Sequence, residues 1–207
     1  MILVAAALAA AVLDWWAVAR DRLTTEYLAK PLVMVLLMAA VFSAGEAPDR
    51  VVVLIALAFA FSLVGDVVLM LPDGPFEAGL GAFLVAHCFT IAALLDVGVE
   101  PGWLVVGIVI VGGVAGFLVL PIVRAASARS PVLGWAVGAY VLVLAVMAVN
   151  AVGVGHWATI AGGLLFLVSD AMLGWGRFVG PTPGGRVGVH VTYHLAQAGF
   201  ATWVIVI

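Results

Sequence analysis

Two aspartates interrupt apolar runs in nearly the same setting. LVGDVVL at 63–69 is followed by LVSDAML at 167–173, so Asp66 and Asp170 lie 104 positions apart. An ionised side chain inside a membrane-like run costs on the order of 3 kcal/mol, which makes such a residue a functional candidate by default. Two carboxyl groups sharing a low-dielectric site cannot both ionise, so a pair of this kind holds one proton and offers an acid and a base together. Other polar residues fall in similar runs: Lys30, His87, His190, Tyr193, His194 and Gln197. Tyr193 and Gln197 share a helix face at four-residue spacing. His190 and His194 have the same spacing, which lets two imidazoles bind one zinc, with His87 and an aspartate to complete the set. A bare HxxxH without a neighbouring Glu is an incomplete zinc signature. Ser62, Ser169 and Glu77 are weaker candidates. There is no Gly-rich phosphate loop following a strand and no GxSxG elbow, so nothing supports nucleotide binding or serine hydrolysis of the usual kind.

Each candidate also has a structural explanation. Asp66 or Asp170 paired with Lys30 would act as interhelical glue, and His87 bonded to a neighbouring carbonyl would be a satisfied core histidine. Tyr193 and Gln197 are the kind of polar residue that bonds between membrane helices for structure alone. Lys30 at a helix start would snorkel to the interface.

The elements that must position these residues follow from composition. The chain has 207 residues, 66% of them hydrophobic and 9% charged, with a mean hydropathy of +1.31. Soluble domains run at about 45–50% apolar and 25% charged, so this is an integral membrane protein. Apolar runs between charged loops predict an all-α bundle of eight transmembrane helices near 2–19, 31–44, 50–71, 77–95, 102–123, 131–152, 157–175 and 187–206, in a single domain. The first run lacks basic residues before its apolar part and is followed by further spans, so it is expected to be a helix and not a signal peptide. Cys88, alone in mid-run, excludes an intramolecular disulfide and is expected to be a small packing residue. Runs such as VGGVAGF and AGGLLF offer small residues for close helix packing.

Charge gives the orientation. Arg20, Arg22, Lys30, Arg124, Arg129, Arg177 and Arg186 gather on one side and Arg50 on the other, which by the positive-inside rule makes the rich side cytoplasmic and puts both termini outside. All seven tryptophans fall near span ends, as interfacial indoles do. Asn150 and His156 are placed at the opposite rim, without a special role. Spans 3 and 7 then run in the same direction, with Asp66 and Asp170 about five residues from the cytoplasmic end, a depth of roughly 7–8 Å. Matching depth, direction and local sequence point to helices 1–4 and 5–8 as parallel copies of one unit.

The polar residues and their settings resemble those of the YhhN family of membrane proteins, whose animal members include the lysoplasmalogenases. The resemblance rests on EYLAKPL at 26–32, FSLVGDVVLM at 61–70, GLGAFLVAH at 79–87, LVSDAML at 167–173 and YHLAQ at 193–197, in order from helix 2 to helix 8. It departs from the family in the AMLGWGRF turn after the second aspartate. It implies hydrolysis of the vinyl ether bond of a lysoplasmalogen, giving a fatty aldehyde and a glycerophospho-alcohol. Functional positions carry over to Lys30, Ser62, Gly65, Asp66, Gly79, His87, Ser169, Asp170, Tyr193 and Gln197. On this basis Asp66 and Asp170 are the expected acid–base pair, and His87 and Tyr193 orient the carboxylates or the water. Gln197, Ser62 and Ser169 support them, and Lys30 binds the substrate phosphate as a point charge at the interface. The expected partners are a lysophospholipid substrate and membrane lipid, with no cofactor and no nucleic acid. An Ala/Val/Gly-rich, lysine-poor chain points to the plasma membrane of a bacterium with a high-GC genome. Two alternatives stay open: a zinc-dependent lipid ester or amide hydrolase using His87, His190 and His194, and a proton-coupled transporter or lipid-binding protein.

Overall fold

The computed structural model describes residues 1–72 and 74–207. Eight helices account for nearly all of them: α1 (Ile2–Ala19), α2 (Leu23–Phe42), α3 (Asp49–Met70), α4 (Phe76–Val97), α5 (Pro101–Arg129), α6 (Pro131–Gly153), α7 (Trp157–Phe178) and α8 (Gly185–Val206). Their pairings close a ring, in which α1 packs on α2, α2 on α3, α3 on α4, α4 on α6, α6 on α7, α7 on α8 and α8 back on α1. Helix α5 stands outside this ring, against α6 and α7, and presents Val105, Ile108, Val109 and Phe117 outward. Such a surface suits lipid and no aqueous solvent. The protein is an all-α membrane bundle.

Helices α1 to α7 are each long and apolar enough to cross a membrane. Helix α8 is as long, yet it carries His190, Tyr193, His194 and Gln197, all buried. It also leans inward, touching α2 and α3 besides its ring neighbours α1 and α7. The least apolar helix is therefore the most enclosed, because its polar face meets protein and not lipid.

Several sequence expectations need correction. The second span was expected near 31–44, but α2 begins at Leu23 and runs through Pro31. The extra turns hold because tertiary contacts secure them: Glu26 and Lys30 are buried, and the Tyr27 hydroxyl donates to the Met70 carbonyl at 3.1 Å. Lys30 thus lies inside the helix and does not open it. Helix α5 likewise extends past its expected end near 123, to Arg129. There the Arg129 guanidinium donates to the Arg177 carbonyl at 3.0 Å and covers the Phe178 ring, while Ala126 packs with Ile122, Val137 and Phe178. Cys88 is exposed instead of packed inside. Trp16, Trp103, Trp135 and Trp157 are exposed near helix ends as expected, but Trp203 is fully buried, and Trp15 turns inward to a histidine. His156 has a definite task, its Nδ1 accepting from the Ala158 amide at the start of α7.

Close packing uses one of the two small-residue runs. Lipid is as apolar as the helices, so their association depends on tight contact and buried polar bonds. In AGGLLF, a Cβ on Gly163 would come 2.5 Å from that of Ala151 on α6, and one on Gly162 would come 3.2 Å from the Ala196 carbonyl on α8. Gly199 completes the α7–α8 crossing, where a Cβ would meet the Ala158 carbonyl at 2.9 Å. In VGGVAGF, by contrast, a Cβ on Gly112, Gly113 or Gly116 meets nothing within 4 Å, so those glycines face outward while Val111 packs in the core. Gly199→Ala should lower stability by about 1–3 kcal/mol through overpacking, and Gly113→Ala should be neutral or slightly stabilising. Thermal unfolding in detergent compares the two.

Candidate active site

Asp66 lies one turn from the end of α3 and is buried. Its Oδ1 is 2.9 Å from the Lys30 ammonium of α2, and its Oδ2 accepts from the Tyr193 hydroxyl of α8 at 2.6 Å. The same ammonium is 5.4 Å from the centroid of the Tyr193 ring, close enough for a cation–π contact. Three helices meet on this one carboxylate. The pairing with Lys30 considered from sequence is present, and it coexists with a place on the cavity wall.

Asp170 sits on α7, which runs to Phe178 and so leaves it about two turns from the helix end instead of the expected five residues. Its partners are of another kind. The Tyr140 hydroxyl of α6 donates to Oδ2, and His87 Nε2 of α4 lies 3.1 Å from that hydroxyl and 3.5 Å from the carboxylate oxygen. No Lys or Arg pairs with Asp170 among the described residues. An edge-to-face aromatic wall joins the two clusters: Phe83 and Phe166 stand 5.8 and 5.5 Å from the Tyr193 ring, and His87 is 4.7 Å from Phe166. Gly65 makes room for this wall, since a Cβ there would lie 2.6 Å from the Phe83 ring. Gly79 does the same for Leu69.

Both carboxylates line one cavity of about 170 Å³, together with Lys30, Tyr193, Ser169, His190, Glu26 and Arg186. Leu69, Leu173 and Phe83 supply apolar wall. Asp170 also borders a second space of about 40 Å³, which Tyr140 lines. Ser169 ties α7 to α8 through a 3.1 Å bond from its hydroxyl to the Val189 carbonyl. His87, Ser62 and Gln197 are buried but do not line the main cavity. Glu77 is exposed, and no contact draws it to the site.

Asp14, Glu26, Tyr140 and Arg186 belong to this region without a sequence signal that assigns them to it. Asp14 lies as far from the end of its predicted span as Asp66 does and Glu26 falls in the predicted loop before span 2, and both are buried. Asp14 Oδ2 is 2.7 Å from His190 Nδ1 and 3.8 Å from His194 Nδ1. His194 Nδ1 also accepts from the Trp15 indole at 3.1 Å. Glu26 pairs with Arg186, so this arginine does more than bias the charge of its loop. Tyr140 went unnoticed because a tyrosine in an apolar run attracts no attention; four-residue periodicity offers no signal for it. The three histidines of the zinc alternative are divided between clusters, His87 with Tyr140 and Asp170, His190 and His194 with Asp14. No group of three or more His, Cys, Asp or Glu with metal-holding geometry occurs among the described residues.

Fold and site together define a multi-pass membrane protein with two unlike carboxylates on a cavity inside its bundle. A sequence model of the YhhN family matches residues 25–204. The chain belongs to that family. It is also 33% identical over 140 residues to the human protein called lysoplasmalogenase TMEM86B, an alignment covering 68% of this chain and 58% of that one. No solved structure matches the chain.

The ion pair at Asp66 leads to a stability prediction. Lys30→Met leaves a buried carboxylate without its cation and should cost about 3–5 kcal/mol, whereas replacing both partners in Lys30→Met/Asp66→Asn should recover most of that loss. Unfolding of the purified variants in detergent measures the difference.

Proposed function

We propose that this chain is a membrane hydrolase that cleaves the vinyl ether bond of a lysoplasmalogen to a fatty aldehyde and a glycerophospho-alcohol. The observation that carries this reading is the pairing of two carboxylates with different partners on one cavity. The name of the human relative points in the same direction.

Hydrolysis of a vinyl ether needs an acid first and a base second. Asp66, with a lysine ammonium and a tyrosine hydroxyl on its two oxygens, has a fixed cation beside it and is assigned the role of base. Asp170 has no Lys or Arg partner among the described residues and is assigned the role of acid. In the proposed cycle Asp170 protonates the alkene carbon, and the adjoining carbon and ether oxygen become an oxocarbenium ion. The Asp66 carboxylate stabilises that cation and accepts a proton from the attacking water, as one carboxylate of a glycosidase pair does. The resulting hemiacetal returns its hydroxyl proton to Asp170 while its C–O bond breaks, and the departing alcohol takes the proton held by Asp66. Water is consumed, both carboxyls are restored, and no cofactor takes part. Tyr140 and His87 orient Asp170, and Tyr193 orients Asp66. Apolar walls exclude bulk water and accept the single hydrocarbon chain. The cavity opens, in this reading, toward the cytoplasmic half of the membrane.

Asp170→Asn, and Lys30→Met/Asp66→Asn, which leaves no buried charge unpaired, should each reduce aldehyde release from a defined lysoplasmalogen by roughly 10²–10⁴-fold while the protein remains folded. The saturated ether analogue should pass through intact. Full activity in either variant would exclude the carboxylate pair, and cleavage of the saturated ether would exclude vinyl ether chemistry.

A further inference from the structure

We propose that Arg186 binds the phosphate of the substrate headgroup at the mouth of the cavity, a role the sequence had given to Lys30. This inference rests on the lysoplasmalogenase reading above. Two cationic side chains line the cavity, and they differ in availability. Lys30 is buried, committed to Asp66 and set at the depth of the chemistry. A phosphate brought to it would sit beside that carboxylate and repel it. The Arg186 side chain, in the first turn of α8, is 55% exposed, while the Glu26 carboxylate that holds it is 1% exposed.

That asymmetry resembles a mounted ligand-binding group. One end of the guanidinium is fixed by a buried carboxylate, and its remaining N–H donors face outward in the planar fork that matches two phosphate oxygens. Anchoring in advance reduces the side-chain entropy lost on binding. Arg186 also borders an outer groove of about 410 Å³. Leu69, Leu173 and Val189 line both the groove and the cavity, so the arginine stands where an apolar path passes inward. Along α8 the seven residues from Arg186 to Tyr193 span roughly 10 Å of helix rise. That length is comparable to the glycerol segment between phosphate and vinyl ether, so a phosphate on Arg186 leaves the reacting bond near Asp66. The ligand class is a phosphodiester anion on a single-chain lipid.

Binding of three probes to purified protein in detergent tests the assignment: a saturated-ether lysophosphatidylethanolamine, a 1-alkylglycerol without phosphate, and inorganic phosphate. Arg186→Gln should weaken the lysophospholipid by about tenfold or more, the worth of one charged hydrogen-bonding partner. Binding of the alkylglycerol should not change, Arg186→Lys should recover part of the loss, and inorganic phosphate should not compete. Because Arg186→Gln strands Glu26, the Glu26→Gln/Arg186→Gln pair is measured alongside and should show the same selective loss. Equal weakening of both amphiphiles, or of neither, overturns the proposal. Inorganic phosphate competing as well as the lipid would make this a free-phosphate site and overturn it too. An Arg186-dependent headgroup preference in a protein that releases no aldehyde would reject the proposed reaction and keep the binding site. Aldehyde release with no dependence of lipid binding on Arg186 would do the reverse.

Discussion

The structure depends on the contact between Lys30 and Asp66, closed from the other side by Tyr193. It joins α2, α3 and α8 at one point inside an apolar bundle, where neither charge could stand alone. The pair does not earn its place by stability, since two well-packed apolar residues would do as well there. What it contributes is position: the ammonium and hydroxyl fix both oxygens of the carboxylate, and the ring of Tyr193 in turn holds Phe83 and Phe166 edge-on. The wall between the two acidic clusters therefore takes its form from this single ion pair.

The second cluster repeats the plan with different residues. Asp66 on α3 is held from α2 and α8, and Asp170 on α7 is held from α6 and α4. Shifting each helix by four exchanges these sets, so Lys30 corresponds to Tyr140 and Tyr193 to His87. The agreement is local. Helix α8 packs on α1, but α4 does not pack on α5, because α5 has moved to the outside of the ring. The substitution of a tyrosine for the lysine separates the chemical characters of the two carboxyls, one beside a fixed cation and one without.

Much of this was legible in the residue order. Asp66, Asp170, His87 and Tyr193 stood out because a polar group in a long apolar run is expensive, and all four lie in the two clusters. Legibility failed where the cost of a residue depends on its surroundings. Glu26 falls in a predicted loop, where a charge costs little, until α8 is seen to cover it; Asp14 sits as far inside its run as Asp66, but no repeated motif marks it. Arg186 counts the same toward charge bias whether it anchors topology or faces a cavity. The glycines of VGGVAGF and AGGLLF are equivalent as letters, and their difference lies in which side of the helix meets a neighbour. The extra turns of α2 before residue 31 and of α5 beyond residue 123 depend on buried contacts that residue order does not display.

The enclosure of α8 bears on how the protein is assembled. Helices α1 to α7 can each partition into lipid on hydropathy alone, but α8 exposes imidazoles, a phenol and an amide if it enters unaccompanied. Its insertion is favourable only when α1, α2, α3 and α7 already offer it a polar seat. Since α8 also brings Tyr193, His190 and Arg186, the cavity comes into being in the same event that completes the bundle. Membrane integration and closure of the cavity are then a single step, and an incompletely inserted chain carries Asp66 without the tyrosine that holds it.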